Sequence, residues 1–235
     1  MNVLAFDTCL GGVSVAVRWQ GARREWLSCD RFELREGGGH AERLMPMIAE
    51  AMEEAGLAFA DLGRIAVTVG PGTFTGVRGG VAAACGLALA SGLAVVGATS
   101  LAVMAHGAEA LLGPRDEKLL AVAVDARRGM VYLQLFADAQ DRTSQPLLLA
   151  AEQVAALVGS KPVTVVGSGA PAVAGAIIAA GGEAEARLPE LQPHARSLAL
   201  LAGDLTPISP VRPLYLRPPD VKPQDDKSLS RAVAP

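Results

Sequence analysis

The sequence predicts an α/β protein in which a β-β-β-α-β-α unit occurs twice, so that two sheets face a common cleft. Three observations carry this expectation. An apolar strand ending in aspartate and followed by a glycine-bearing turn appears at Val3–Asp7 and again at Leu119–Asp125. A strand runs through glycine turns straight into a helix at 65–80. The chain of 235 residues is 51% hydrophobic but only 4% aromatic, so alanine, valine and leucine must fill whatever core it builds.

The elements of the first copy follow in order. Val3–Asp7 is the first strand, Gly11 and Gly12 make the turn, Val13–Val17 returns, and a third strand lies near Glu25–Cys29. A helix spans about Ala41–Ala55, a β-branched strand Arg64–Val69, and a second helix Thr73–Ser91. In the second copy Leu119–Asp125 leads through Arg127, Arg128 and Gly129 into Met130–Phe136, with a third strand at Pro146–Leu149. A helix at Ala151–Val158, a strand at Val163–Val166 and a helix at Ala170–Ala180 complete it. The expected division is 1–100, 101–206 and a proline-rich tail at 207–235 that cannot form a regular helix and that frays beyond Lys222.

The densest motif is Val69-Gly-Pro-Gly-Thr-Phe-Thr-Gly-Val-Arg-Gly-Gly80. Small residues recur every fourth position at Gly72, Gly76, Gly80, Ala84, Ala88 and Gly92, which makes one inclined ridge on a helix. Two readings compete. A glycine turn opening a helix can cradle phosphate, yet the Lys-Ser/Thr ending of a P-loop and the dinucleotide spacing are both missing. Tight packing of the helix on a sheet or on a partner is the stronger reading.

Composition narrows the function classes. A formal charge of −3 gives no global attraction to nucleic acid, so a direct grip on RNA is not indicated. Cys9, Cys29 and Cys85 are odd in number and widely spaced, which suggests neither a disulfide framework nor a zinc knuckle and fits a reducing compartment. No basic segment or long apolar run precedes Asp7, which argues against a secretory signal. The stretch from Gly79 to Ala108 has no charged residue and is long enough to cross a bilayer. Its alanine and glycine content and the Ser91-Gly92 break favour a buried helix, a strand at Leu93–Val96 and another helix instead. A cytoplasmic protein without a membrane span is expected.

The run Gly70–Arg78, the small-residue helix after it and Val95–Leu101 resemble the TsaB (YeaZ) family of the bacterial machinery that makes threonylcarbamoyladenosine in tRNA. The likeness extends to Val3–Thr8, Gly39–Pro46 and Leu214–Asp220, and so covers nearly the whole chain. The resemblance implies the duplicated fold shared by actin, Hsp70 chaperones and sugar kinases (ASKHA). It also implies a non-catalytic scaffold that binds and activates its catalytic relative TsaD, with the ATPase TsaE joining and tRNA touched only indirectly. Self-association through the same face is implied too.

In such a fold, an aspartate at a strand end and the glycine hairpin after it position metal-bound nucleotide. Asp7, Thr8, Asp125, Gly167 and Gly169 stand where those roles fall, as a vestigial set with at most a weak ATP or ADP contact and no required cofactor. The bland alternative is that both aspartates cap hairpins through backbone hydrogen bonds. The second histidine of a TsaD-like metal pair is absent, because Leu44 stands four residues after His40, so no metal is expected and His40 reads as a helix-start or interface residue.

The partner face is expected at His40, Leu44, Met47, Ile48 and Met52 on the first helix and at Gly72, Gly76 and Gly80 on the second. The bland alternative is that the methionine-rich stripe simply covers its own sheet. An independent small-molecule kinase or ATPase of the same fold, and a protease-like chaperone module, are the competing functions. Loss of partner binding in Gly76→Leu or Met47→Glu would favour the scaffold, and nucleotide binding lost in Asp7→Ala would favour the kinase.

Overall fold

The computed structural model describes residues 1–21, 26–34, 39–113, 118–136 and 144–217. The expected fraying beyond Lys222 therefore lies outside the described residues. The first unit runs β1 (Val3–Asp7), β2 (Gly12–Gln20), β3 (Trp26–Leu34), α1 (His40–Ala55), a 3-10 turn (Phe59–Asp61), β4 (Arg64–Thr68), α2 (Phe74–Ser91), β5 (Ala94–Ala98) and α3 (Ser100–Leu112). The second runs β6 (Leu119–Asp125), β7 (Met130–Phe136), β8 (Leu147–Ala150), α4 (Ala151–Val158), β9 (Val163–Val166), α5 (Ala170–Ala179), β10 (Ala184–Arg187) and α6 (Ala195–Leu201).

Two five-stranded sheets result, ordered β3-β2-β1-β4-β5 and β8-β7-β6-β9-β10. In both, the first three strands are antiparallel neighbours and the last two join in parallel. This is the duplicated ASKHA plan that the sequence predicts, with each unit one strand and one helix longer than the expected β-β-β-α-β-α. In the second unit the missing pieces were β10, whose Ala-Glu-Ala-Arg is largely exposed and shows no apolar run, and α6, which has only seven residues.

Alternation along the strands assigns the faces. Leu4, Phe6, Val15, Ile65 and Val67 point to one side of the first sheet, where they meet Leu44, Met47, Ile48 and Met52 of α1 and Val81 and Ala84 of α2. The opposite side carries the small residues Ala5, Ala16, Ala66 and Ala98, and on it sits α6 through Ala195, Leu198 and Ala199. The second sheet repeats the arrangement. Ala121, Ala123, Leu133 and Val165 face α4 and α5, while Leu120, Val122 and Val124 face Leu101, Met104, Ala105 and Ala108 of α3.

Each unit thus sends its last helix across to the other unit's sheet. α3, from the first, lies on β6 and β7, and α6, from the second, lies on β1, β2 and β4. The two helices also touch each other. Ser14 fixes the crossing at one end, its buried Oγ accepting the Ala195 N–H at 2.9 Å.

The α2 N-terminus is set by close approach. Thr73 caps the helix, its side chain accepting the Gly76 N–H at 3.2 Å. Thr8, directly after β1, donates its hydroxyl to the Gly76 carbonyl at 2.6 Å. A Cβ at Gly76 would fall 2.0 Å from the Thr8 carbonyl oxygen, one at Gly80 2.6 Å from the Thr8 Oγ1, and one at Gly72 2.2 Å from the Cys9 carbonyl oxygen. The small-residue ridge is therefore the seat of the β1–β2 hairpin.

Gly76→Val should destabilise the chain by about 3 kcal/mol through overpacking against backbone. Gly86→Ala, where nothing lies within 4 Å of the added carbon, should stabilise it by about 0.5–1 kcal/mol through helix propensity. Urea unfolding of the two variants beside the parent checks both signs.

Candidate functional site: the cleft mouth and the outer face of α1 and α2

The strand ends that would form a nucleotide seat come together, but they are engaged with one another. Asp7 is 1% exposed; its Oδ1 accepts the Cys9 N–H at 3.2 Å and the Thr68 hydroxyl. Burial pushes its carboxyl up from 3.8 to about 6, against the lowering effect of those hydrogen bonds. Thr8 is equally buried and spends its hydroxyl on Gly76. The Cys9 thiol donates to the Thr68 hydroxyl at 3.2 Å, and burial holds it well above the usual thiol range, so it is no nucleophile. The Gly11 N–H, which in an open hairpin would face a phosphate, donates instead to the Gln192 side chain at 3.1 Å.

The second hairpin mirrors the first. Asp125 caps it by accepting the Arg127 N–H at 2.8 Å, two residues on, as Asp7 does for Cys9. Unlike Asp7 it is exposed, and its own N–H donates to Ser168 Oγ at 3.0 Å. Gly167, at φ +93, and Gly169 bring the β9–α5 turn against the end of β6, where the Gly169 N–H donates to the Ala123 carbonyl at 3.0 Å. Of the expected nucleotide set, Asp125 alone keeps an open carboxylate. Asp7 and Thr8 are sealed behind their own hairpin because Thr68 and Gly76 occupy the space in front of them.

The tail closes the mouth of the cleft. Ile208 and Leu214 donate their N–H groups to Val95 and Val69 at 3.0 and 2.7 Å, which lays 208–214 along the edge of the first sheet. Arg217 then reaches the second unit, donating to the Ala126 carbonyl at 3.0 Å. Tyr215 accepts from Arg78 Nε at 2.8 Å, and the Arg78 guanidinium stacks 3.6 Å from the Phe74 ring centre. Between tail, hairpin and α2 lies a cavity of about 480 Å³. A larger, mainly apolar cavity of about 780 Å³ opens elsewhere, between β3, α3 and α6.

The expected partner stripe is corrected by the structure. Leu44, Met47, Ile48 and Met52 are at most 5% exposed and belong to the core under α1. Gly76 and Gly80 are buried against Thr8, and Gly72 sits partly buried against Cys9. The named residues face inward because an apolar stripe on a surface helix normally covers its own sheet. His40 opens α1 and is partly buried.

What faces outward is a second stripe. Glu42, Met45, Pro46, Ala49 and Glu53 are exposed on α1, and Arg78, Ala82, Cys85, Gly86 and Leu89 on α2. Leu89 is 89% exposed. α2 is apolar enough and long enough to cross a membrane by those measures alone, yet only 28% of it is buried in the chain and its inner side is locked to β1 and β4. Among the described residues no three His, Cys, Asp or Glu side chains converge as metal ligands would.

Comparisons with known sequences and structures bear on the family and the fold. Residues 37–177 match the family model "TsaD: tRNA N6-adenosine threonylcarbamoyltransferase". The chain is 39% identical over 134 residues to the tRNA threonylcarbamoyladenosine biosynthesis protein TsaB of Escherichia coli, a match covering 56% of this chain and about half (53%) of that relative. It is 35% identical to the uncharacterized Mycobacterium tuberculosis protein Rv3421c, over 94% of both chains. Among solved structures, YeaZ from Pseudomonas aeruginosa aligns with a TM-score of 0.76 and 29% identity, over 92% of this chain and 99% of that one. The chain belongs to the family that the TsaD model describes and, within it, stands with the TsaB (YeaZ) proteins.

Proposed function

We propose that this chain is a non-catalytic scaffold of tRNA threonylcarbamoyladenosine synthesis, which binds and activates a TsaD-type transferase through the outer face of α1 and α2. One observation carries the reading: a helix with no acidic residue and no lysine leaves its apolar side, from Ala82 through Cys85 and Gly86 to Leu89, open to solvent. An apolar patch of that kind on a folded chain marks an interaction surface. Small residues in its centre suit the close approach of a partner helix, and Met45 on neighbouring α1 adds an adaptable side chain. A second copy of the chain can use the same face, which makes self-association and partner binding exclusive.

The closed cleft supports the non-catalytic part. Phosphoryl or acyl transfer needs open donors, a base or a metal aimed at the reacting group. Here the first hairpin spends its donors on Asp7 and Gln192, and Cys9 is a buried, protonated thiol. The kinase and peptidase readings both lack an assembled nucleophile. A weak nucleotide contact, and the joining of a TsaE-type ATPase, belong to this proposal as partner-borne steps in the cytoplasm.

Light scattering on size-exclusion peaks tests the interface. Leu89→Glu should leave thermal unfolding within about 0.5 kcal/mol of the parent and abolish the complex with a TsaD-type partner. Met47→Glu, which buries a charge in the α1 core, should unfold the chain and so cannot serve as the interface test. An undiminished complex with Leu89→Glu would refute the assignment of this face.

Asp7 gives a second expectation. Because folding raises its carboxyl from 3.8 to about 6, the folded state favours the protonated form. The stability tied to that proton is fully present below about pH 4 and is lost as pH rises through about 6, on the order of 3 kcal/mol in all. Asp7→Asn should flatten this part of the stability profile between pH 4 and 6, measured by urea unfolding at fixed ionic strength. A variant profile with the parent's slope would show that Asp7 is not the group responsible.

A further inference from the structure

The cavity at the cleft mouth has a composition unlike the rest of the chain. There are only two tyrosines in the sequence, and both Tyr132 and Tyr215 line it, with Phe74 as a third ring. Phe74 and Tyr215 are 40% and 42% exposed, with ring centres 5.5 Å apart. Two arginines, Arg127 and Arg217, also line it, against one carboxylate, Asp125, among the described residues. Arg217 spends one donor on the Ala126 carbonyl, which brings its guanidinium beside the backbone of Arg127 and leaves further N–H groups to bind an anion. Aromatic faces beside guanidinium groups are the chemistry that holds an unpaired base and its phosphate.

We propose that this cavity seats an unstacked nucleotide of an RNA loop, with its base against the Phe74, Tyr132 and Tyr215 rings and its phosphate at Arg127 and Arg217. The inference rests on the scaffold reading and adds to it a direct RNA contact on this chain. The overall charge of −3 does not oppose it, because two guanidinium groups at the mouth, Arg127 and Arg217, supply local positive charge for one phosphate. Asp125 of the fold's expected nucleotide set lines the same cavity, whereas the Gly11 N–H of the first hairpin is engaged by Gln192.

The test is fluorescence anisotropy with a labelled RNA hairpin bearing a single-stranded loop, using the full chain alone and in its complex with a TsaD-type partner. A fully paired duplex is the control. The hairpin should bind more tightly than the duplex. Tyr215→Leu, which keeps apolar bulk but loses the ring face, should weaken hairpin binding roughly ten-fold, and Tyr215→Phe should stay within about two-fold. Arg127→Asn, tolerated at φ +64, should weaken it and reduce its dependence on salt. Hairpin affinity unchanged in Tyr215→Leu and Arg127→Asn would overturn the inference. So would displacement of the hairpin by ADP or AMP, which would assign the cavity to free nucleotide. Either result with the partner complex still intact on light scattering would leave the scaffold reading standing, whereas failure of the parent chain to form that complex would overturn the scaffold reading itself.

Discussion

The β1–β2 hairpin and the first turns of α2 claim the same space, and glycine at 72, 76 and 80 is what allows both to have it. A Cβ at 72 or 76 would fall 2.2 or 2.0 Å from a backbone oxygen of Cys9 or Thr8, so no larger residue fits there without moving backbone, and one at 80 would displace the Thr8 hydroxyl. The contact fixes the height and rotation of α2 on the sheet. Rotation in turn decides which side of α2 is buried and which faces solvent. It also closes the end of β1, so that Asp7 becomes an interior carboxyl hydrogen-bonded to Cys9 and Thr68. On the proposed reading, the docking face and the absence of chemistry in the cleft both follow from this packing constraint.

The exchange of α3 and α6 between the units explains why the small-residue composition is tolerable. Helices sandwiched between two sheets must approach both closely, and Ala5, Ala16 and Ala66 on one sheet and Ala105 and Ala108 on the crossing helix provide that approach. A core of this kind gains little from any single large side chain. Its stability rests on many small contacts at high packing density. The tail adds a tie across the cleft, from Val69 to Ala126, that the sheets do not supply.

Much of this was legible in the sequence for physical reasons. Apolar strands such as Leu119–Asp125 and the glycine turns after them carry their own period and punctuation, and their ends fell where the structure has them. The short exposed β10 carries no such pattern and escaped notice, as did α6, which has seven residues and whose start is fixed by a long-range contact with Ser14. On α1 and α2, the sequence pattern did not tell the buried side from the exposed one. A run of small residues reads the same whether it meets its own hairpin or a foreign helix, and only the position of Thr8 decides. The Phe74–Arg78–Tyr215 cluster joins residues 137 and more apart in the chain and left no local signal.

The central claim is that this chain works by binding, through the outer face of α2, and performs no chemistry in its cleft. Reconstituted threonylcarbamoyl transfer to tRNA, with the partner proteins supplied, separates the two most directly. The account predicts parent-like rates with Asp7→Asn combined with Asp125→Asn, and rates at the level of the partner without this chain for Ala82→Arg combined with Leu89→Glu. Loss of activity in the aspartate variant, with its partner complex intact, would contradict it and return the chemistry to this chain's own cleft.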